Sequence, residues 1–165
     1  MTKYFTVPGL GGSGEKHWQT WLEATQPDFQ RIEQQNWNEP DIDLWVKDLD
    51  SQLENYDINE VILVAHSLGC LTVAEWTKRT NKKPKGALLV APPDIEVVRK
   101  GLNPDMFQEK PLQKLDFSTV LIASMTDPWA TIDTARNYAD CWGSKFINIG
   151  DAGHINAISG HYEWY

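Results

Sequence analysis

The stretch Val61-Ile62-Leu63-Val64-Ala65-His66-Ser67-Leu68-Gly69 runs from four consecutive apolar residues to a serine flanked by small residues, and a segment of helical period follows it. An unbroken apolar run of this length reads as a strand buried on both faces, as in a parallel sheet covered by helices. Ala65-His66-Ser67-Leu68-Gly69 is the pattern G-x-S-x-G with Ala in the first position. A serine on so tight a strand-to-helix turn has a strained backbone, and bulky neighbours two positions away would clash. The turn also sets Ser67 near the positive end of the following helix, where backbone donors favour a developing anion.

Outward from this stretch, short β-rich runs alternate with longer amphipathic ones. Strands are expected at Tyr4 to Val7, Phe29 to Glu33, Val61 to Ala65, Gly86 to Val90, Val120 to Ser124 and Phe146 to Ile149. Helices are expected at Glu15 to Ala24, from Ile42 to Leu53 behind an Asp41 N-cap, from Leu68 to about Thr80, and from Thr131 to Cys141. The pattern predicts one α/β domain over residues 1–165, a three-layer α/β/α sandwich with a mostly or fully parallel six-stranded sheet. Residues 94–117 break the alternation: Pro104 and Pro111 interrupt them, and they read either as a small cap or as a long surface connection.

At 165 residues, with 41% hydrophobic and 23% charged residues, the chain is long enough to bury one core without disulfides or metal staples. A net charge of -8 leaves no basic face for phosphates, so nucleic acid is not an expected partner. No apolar run is long enough to span a bilayer and no signal segment opens the chain, so a cytoplasmic protein without membrane contact is expected. Cys70 and Cys141 fit no metal spacing and read as small buried residues, with a disulfide between them as the alternative.

Two further residues stand just past strand ends. Asp127 lies in Met125-Thr126-Asp127-Pro128-Trp129, after Val120 to Ala123, and His154 lies in Gly150 to Asn156, after Phe146 to Ile149. The order Ser, Asp, His at three carboxyl ends is that of a nucleophile, an orienting carboxylate and a general base. Neutral His154 would take the Ser67 proton as the oxygen attacks a carbonyl, while Asp127 holds the opposite ring N–H. Asp151, Asp133 and Asp116 are rival carboxylates, of which Asp151 reads as a brace for the histidine loop. His66 adjoins the serine but is expected to point from the other side of the turn, and His17 and His161 follow no long apolar strand. The backbone N–H groups of Leu68 and Leu10 are the expected oxyanion donors, the latter within the glycine-rich turn Pro8 to Gly14. Leu10, His17, Trp37, Pro92 and Trp129 are candidates to line the acyl pocket.

Gly9, Gly11 and Gly14 also spell G-x-G-x-x-G, with Glu33 nineteen positions beyond Gly14, so a dinucleotide-binding domain is an alternative. It would leave little chain to orient a substrate and would not use Ser67, Asp127 and His154. A non-catalytic interaction protein on the same scaffold is the third reading.

Taken together, Pro8-Gly9 with His17-Trp18, Ala65 to Gly69, Ala91-Pro92-Pro93, Ser124 to Trp129 and Gly153-His154-Ile155-Asn156 resemble the small serine hydrolases that include YdeN-like bacterial proteins and the retinoblastoma-binding serine hydrolases of animals. The resemblance implies a compact α/β-hydrolase fold, a Ser67, Asp127, His154 triad, no cofactor or metal, and esterase-like cleavage of small acyl substrates through an acyl-enzyme. The animal members' L-x-C-x-E binding segment is not matched, since Leu68-Gly69-Cys70-Leu71 is followed by Thr72. Members of the family usually continue into a last helix, whereas Ile158 to Tyr165 stops soon after His154. A short or missing helix would expose part of one sheet face, which predicts either a monomer or a weak homodimer.

Overall fold

The computed structural model describes residues 1–163. All six expected strands form: β1 (Lys3–Val7), β2 (Phe29–Arg31), β3 (Val61–His66), β4 (Gly86–Val90), β5 (Ser118–Ala123) and β6 (Lys145–Asn148). They pair in the order β2-β1-β3-β4-β5-β6, every pair parallel. The helices are α1 (Trp18–Thr25), α2 (Ile42–Leu53), α3 (Leu68–Thr80), α4 (Ile95–Gly101) and α5 (Ile132–Trp142).

Helix boundaries follow the caps. Asp41 accepts from the backbone N–H groups of Asp43 and Leu44, so α2 begins where the sequence places it. Helix α1 starts three residues later than expected, because His17 Nδ1 accepts from Gln19 N and ends the preceding turn. Helix α3 closes on Asn81 in the left-handed conformation and α5 on Gly143 likewise.

The two sheet faces are covered unequally. Phe5, Val7, Leu63, Ala65, Leu89 and Leu121 meet α2, α3, α4 and α5 in one large buried cluster. Val64 and Val90, pointing the opposite way, belong to a smaller buried cluster with Trp18 of α1, Ala91 and Ile155 of the loop after β6. Right-handed crossovers account for this: β3, β4, β5 and β6 advance in one direction, so the helices between them fall on one face. Only the step from β1 to β2 runs the other way, and it carries α1 to the second face. Near α1, Ile62, Leu88 and Ile122 are half-buried.

Four tryptophans, Trp18, Trp45, Trp76 and Trp142, are fully buried. Each indole N–H finds an acceptor: Ile155 O at 2.8 Å, Gln35 O at 3.0 Å, Asp50 Oδ1 at 2.8 Å and Pro111 O at 2.8 Å respectively. Large rings with satisfied N–H groups stabilise the packing by about 3 to 5 kcal/mol each, judged against truncation to alanine. Both cysteines are free, Cys70 buried and Cys141 only half-buried, so the alternative of a disulfide is not realised.

Residues 94–117 hold the two turns of α4 and then irregular chain that sends Met106, Phe107 and Leu115 into the main core. Residues 158–163 form turns and irregular chain, and the last two residues of the expected short terminal segment lie outside the described residues. Among the described residues, no helix is long and apolar enough to cross a membrane.

The junction of β3 and α3 has no spare room. A Cβ on Gly69 would lie 2.0 Å from the carbonyl oxygen of Val7 and 2.9 Å from that of Pro8, both backbone atoms. Gly69→Ala is therefore expected to lower unfolding free energy by at least about 3 kcal/mol, measured by urea denaturation of purified protein.

Candidate active site

Strand order reverses between β1 and β3, and the carboxyl ends of these two strands carry the glycine-rich turn and Ser67. Such a reversal opens a crevice at the strand ends. Ser67 occupies φ 55° and ψ −128°, a conformation a non-glycine residue adopts only under constraint from its surroundings. The constraint is visible in the backbone: Ser67 N donates to Val90 O at 2.9 Å, and Ser67 O accepts from Cys70 N at 2.9 Å.

Three side chains expected to meet do so. His154 Nδ1–H donates to the Asp127 carboxylate, with both oxygens at 2.9 Å, and His154 Nε2 accepts from the Ser67 hydroxyl at 2.8 Å. The tautomer follows from the partners, since only Nδ1 faces an acceptor that cannot donate. Asp127 Oδ1 also accepts from Trp129 N at 2.9 Å, which fixes the carboxylate plane. The side chains of His154 and Asp127 are 10% and 4% exposed, so this line of hydrogen bonds is largely withdrawn from water. The rival carboxylates lie elsewhere: Asp151 and Asp133 are exposed, and Asp116 pairs with Lys83.

The glycine-rich turn packs against the serine. A Cβ on Gly9 would come within 2.9 Å of Leu68 N and 3.0 Å of Ser67 Cβ, so only glycine permits this approach. Arg31 braces the turn from beneath, donating to Gly12 O at 2.7 Å and Ser13 O at 3.1 Å while paired with Glu23. A half-buried guanidinium on two carbonyls fixes a loop that its glycines would otherwise leave loose. Three residues separate Gly14 from α1, so the helix N-terminus does not sit at the glycines, as a pyrophosphate fingerprint requires. The dinucleotide alternative fails on that geometry.

An open cavity of about 620 Å³ adjoins Ser67 and His154. Leu10, His17 and Trp129 line it as expected, whereas Trp37 and Pro92 do not. Trp37 instead packs edge-on against Trp45 and beneath Gly12. Pro92 is buried, and its neighbour Pro93 faces the cavity. The sequence reading missed the walls supplied by Val98 and Leu102 of the 94–117 segment and by Ile158 after the histidine loop. Ile95, Val97 and Val98 form a short amphipathic patch in the sequence, whereas Leu102 and Ile158 stand in no such pattern.

His66 requires a correction. It does not point away from the site: its ring lines the cavity, 4.9 Å from the ring of His154 and 4.7 Å from that of His17. Its Nε2–H donates to the carbonyl oxygen of His154 at 2.8 Å. Burial, followed by the neighbouring His154 and His17, pushes His66 well below the usual imidazole range. Burial, with Arg31 next in importance, lowers His17 to about 4. Among the described residues no cluster of side chains suits a metal ion.

A parallel α/β sandwich with an imidazole between a serine hydroxyl and a carboxylate at its strand ends defines the chain as an enzyme of the hydrolase type. The serine hydrolase family model matches residues 4–165, and the chain belongs to that family. Among solved structures it is similar to a YdeN-like hydrolase from Pectobacterium atrosepticum, at 32% identity and a TM-score of 0.86, covering 99% of this chain and 85% of that one. It also resembles the ydeN gene product of Bacillus subtilis, at 18% identity and a TM-score of 0.84, over 99% of this chain and 93% of that one. Est1E of Butyrivibrio proteoclasticus, solved with ferulic acid, shares the fold at 12% identity and a TM-score of 0.74, over 94% of this chain and 82% of that one. No curated protein sequence matches the chain.

His17 and His66 make stability depend on pH with a definite sign. Both bind a proton more readily unfolded, near 6.5, than folded, so the unfolded state gains protons as pH falls through that value. The melting temperature should fall steadily from pH 6.5 toward pH 4. In His17→Gln, differential scanning fluorimetry should show a shallower decline over that window.

Proposed function

We propose that the protein is an esterase-like serine hydrolase that cleaves a small-molecule acyl ester through an acyl-enzyme on Ser67. The observation that carries this reading is the continuous line from Ser67 Oγ through His154 to Asp127, each contact 2.8 to 2.9 Å long.

The roles follow from where each proton goes. As Ser67 Oγ bonds to the ester carbonyl carbon, its proton passes to His154 Nε2, and the C–O π electrons move onto the carbonyl oxygen. Asp127, accepting from Nδ1–H, stabilises the imidazolium that results. The oxyanion takes hydrogen bonds from Leu68 N, at the unsatisfied head of α3, and from Leu10 N, on the turn that Gly9 brings against Ser67. Collapse of the tetrahedral adduct expels the alcohol, which takes the proton from His154. Water, activated by the same imidazole, then releases the acid and restores Ser67.

The cavity supports an apolar acyl group, since Leu10, Pro93, Val98, Leu102, Trp129 and Ile158 form much of its wall. Its volume suits a small organic molecule rather than a folded partner.

Ser67→Ala should abolish hydrolysis of short p-nitrophenyl esters without changing the circular dichroism spectrum. Asp127→Asn should lower kcat by about four orders of magnitude through the wrong histidine tautomer. Full activity in either variant, followed at 405 nm, would remove the assignment.

Self-association belongs to the same reading. Ile62, Leu88 and Ile122 are half-buried on the sheet face that carries α1 and the Ile155 loop, and a weak homodimer would bury them further. Sedimentation velocity should show a concentration-dependent dimer, and a clean monomer at high concentration would argue for the monomeric alternative.

A further inference from the structure

Asp127 and Ser67 account for both ring nitrogens of His154, but neither fixes the backbone that carries the ring. That backbone belongs to residues 150–157, which form turns rather than helix or strand. It is strained at Ile155, a β-branched residue at φ 49°. Such a turn persists only if its neighbours hold it.

Four hydrogen bonds from neighbouring elements reach residues 152–155. On the approach to His154, Ala152 N donates to Ser124 Oγ at 2.9 Å and Gly153 N to Thr126 Oγ1 at 3.0 Å. On either side of the strained unit, two buried rings catch consecutive carbonyls: His66 Nε2–H holds His154 O, and Trp18 Nε1–H holds Ile155 O, both at 2.8 Å. The His66 bond is the more direct of the two, because it grips the residue that carries the imidazole. It also starts from the residue preceding Ser67, so one dipeptide at the end of β3 sets both the hydroxyl and the base that must meet it.

We propose that His66 is a positioning residue: its Nε2–H, donated to the carbonyl of His154, holds the histidine turn in the register that keeps the imidazole in line between Asp127 and Ser67. The inference rests on the reading of Ser67, His154 and Asp127 as the catalytic set. His66 touches neither substrate carbonyl nor transferred proton in this scheme. The residue is 5% exposed, and the titratable groups facing its ring are His17 and His154, with His161 a weaker neighbour. Burial and these neighbours keep it neutral, with its single N–H committed to the carbonyl.

The geometry distinguishes this role from ring packing. Glutamine places an amide nitrogen close to where histidine holds Nε2, asparagine places it nearer Nδ1, and phenylalanine keeps the ring while losing the donor. Turnover of p-nitrophenyl acetate should fall about a hundredfold in kcat in His66→Phe, the scale of a small misplacement of a reacting group, with KM changed less than about twofold. His66→Gln should recover most of that loss and His66→Asn should not. The low-field proton NMR resonance of the His154–Asp127 hydrogen bond should be sharp in the wild type and His66→Gln, and broadened or lost in the other two.

The resonance needs no activity, so it separates the two claims. A wild type that shows the resonance but hydrolyses nothing defeats the proposed function and leaves the positioning role to be decided by the resonance in the variants. Wild-type kcat and an unchanged resonance in His66→Phe, or equal loss in the glutamine and asparagine variants, would overturn the positioning role. Thermal denaturation of all three variants identifies any that fail to fold, and in that case the glutamine and asparagine pair decides.

Discussion

An imidazole that must meet a carboxylate with one nitrogen and a hydroxyl with the other has little freedom in where its ring can lie. His154 satisfies both contacts at about 2.9 Å. The partners come from the turn after β5 and the turn after β3, far apart in the chain, so the contacts exist only because parallel strands end along one edge. Much of the remaining structure serves that meeting. Gly69 lets α3 begin immediately after Ser67, Gly9 lets the first loop close over the serine, and Arg31 holds that loop by its carbonyls.

The strain at the site is local, and its supports are identifiable. Ser67, Ala91 and Ile155 all have positive φ without being glycine; Ser67 and Ala91 directly follow β3 and β4, and Ile155 directly follows His154. Each such conformation costs of order 1 to 3 kcal/mol, which surrounding hydrogen bonds and packing must offset. For Ser67 the offset includes Val90 O and the first turn of α3. For Ile155 it is the pair of buried rings that hold the carbonyls on either side of its backbone unit.

Much of this was legible in the sequence because the signals were local. Strand β4 and helices α2 and α3 were placed to the residue by an apolar run, by the Asp41 cap and by the small residues around Ser67. The meeting of Ser67, Asp127 and His154 followed from their common position after strands, since parallel order brings such residues to one edge. What depended on packing between distant segments was not legible. The cavity walls at Leu102 and Ile158 come from chain that carries no periodic signal, and Val98 from a patch too short to say what it faces. Trp37 and Pro92 were plausible by proximity in sequence, yet Trp37 packs against the core and Pro92 is buried outside the cavity wall. His66 lies two positions beyond Val64 on β3, so strand alternation turns its ring toward Trp18; that the histidine turn after β6 covers this same face depended on packing between distant segments. The unequal helix layers were implied by strand order and crossover handedness, but strand order itself could not be read.

A chemical test reaches the central claim without knowledge of the natural substrate. Intact protein treated with a fluorophosphonate should gain the mass of a single adduct, and peptide mapping should place it on Ser67, with labelling lost in His154→Ala. Absence of an adduct, or an adduct on another serine while Ser67 stays unmodified, would contradict the account.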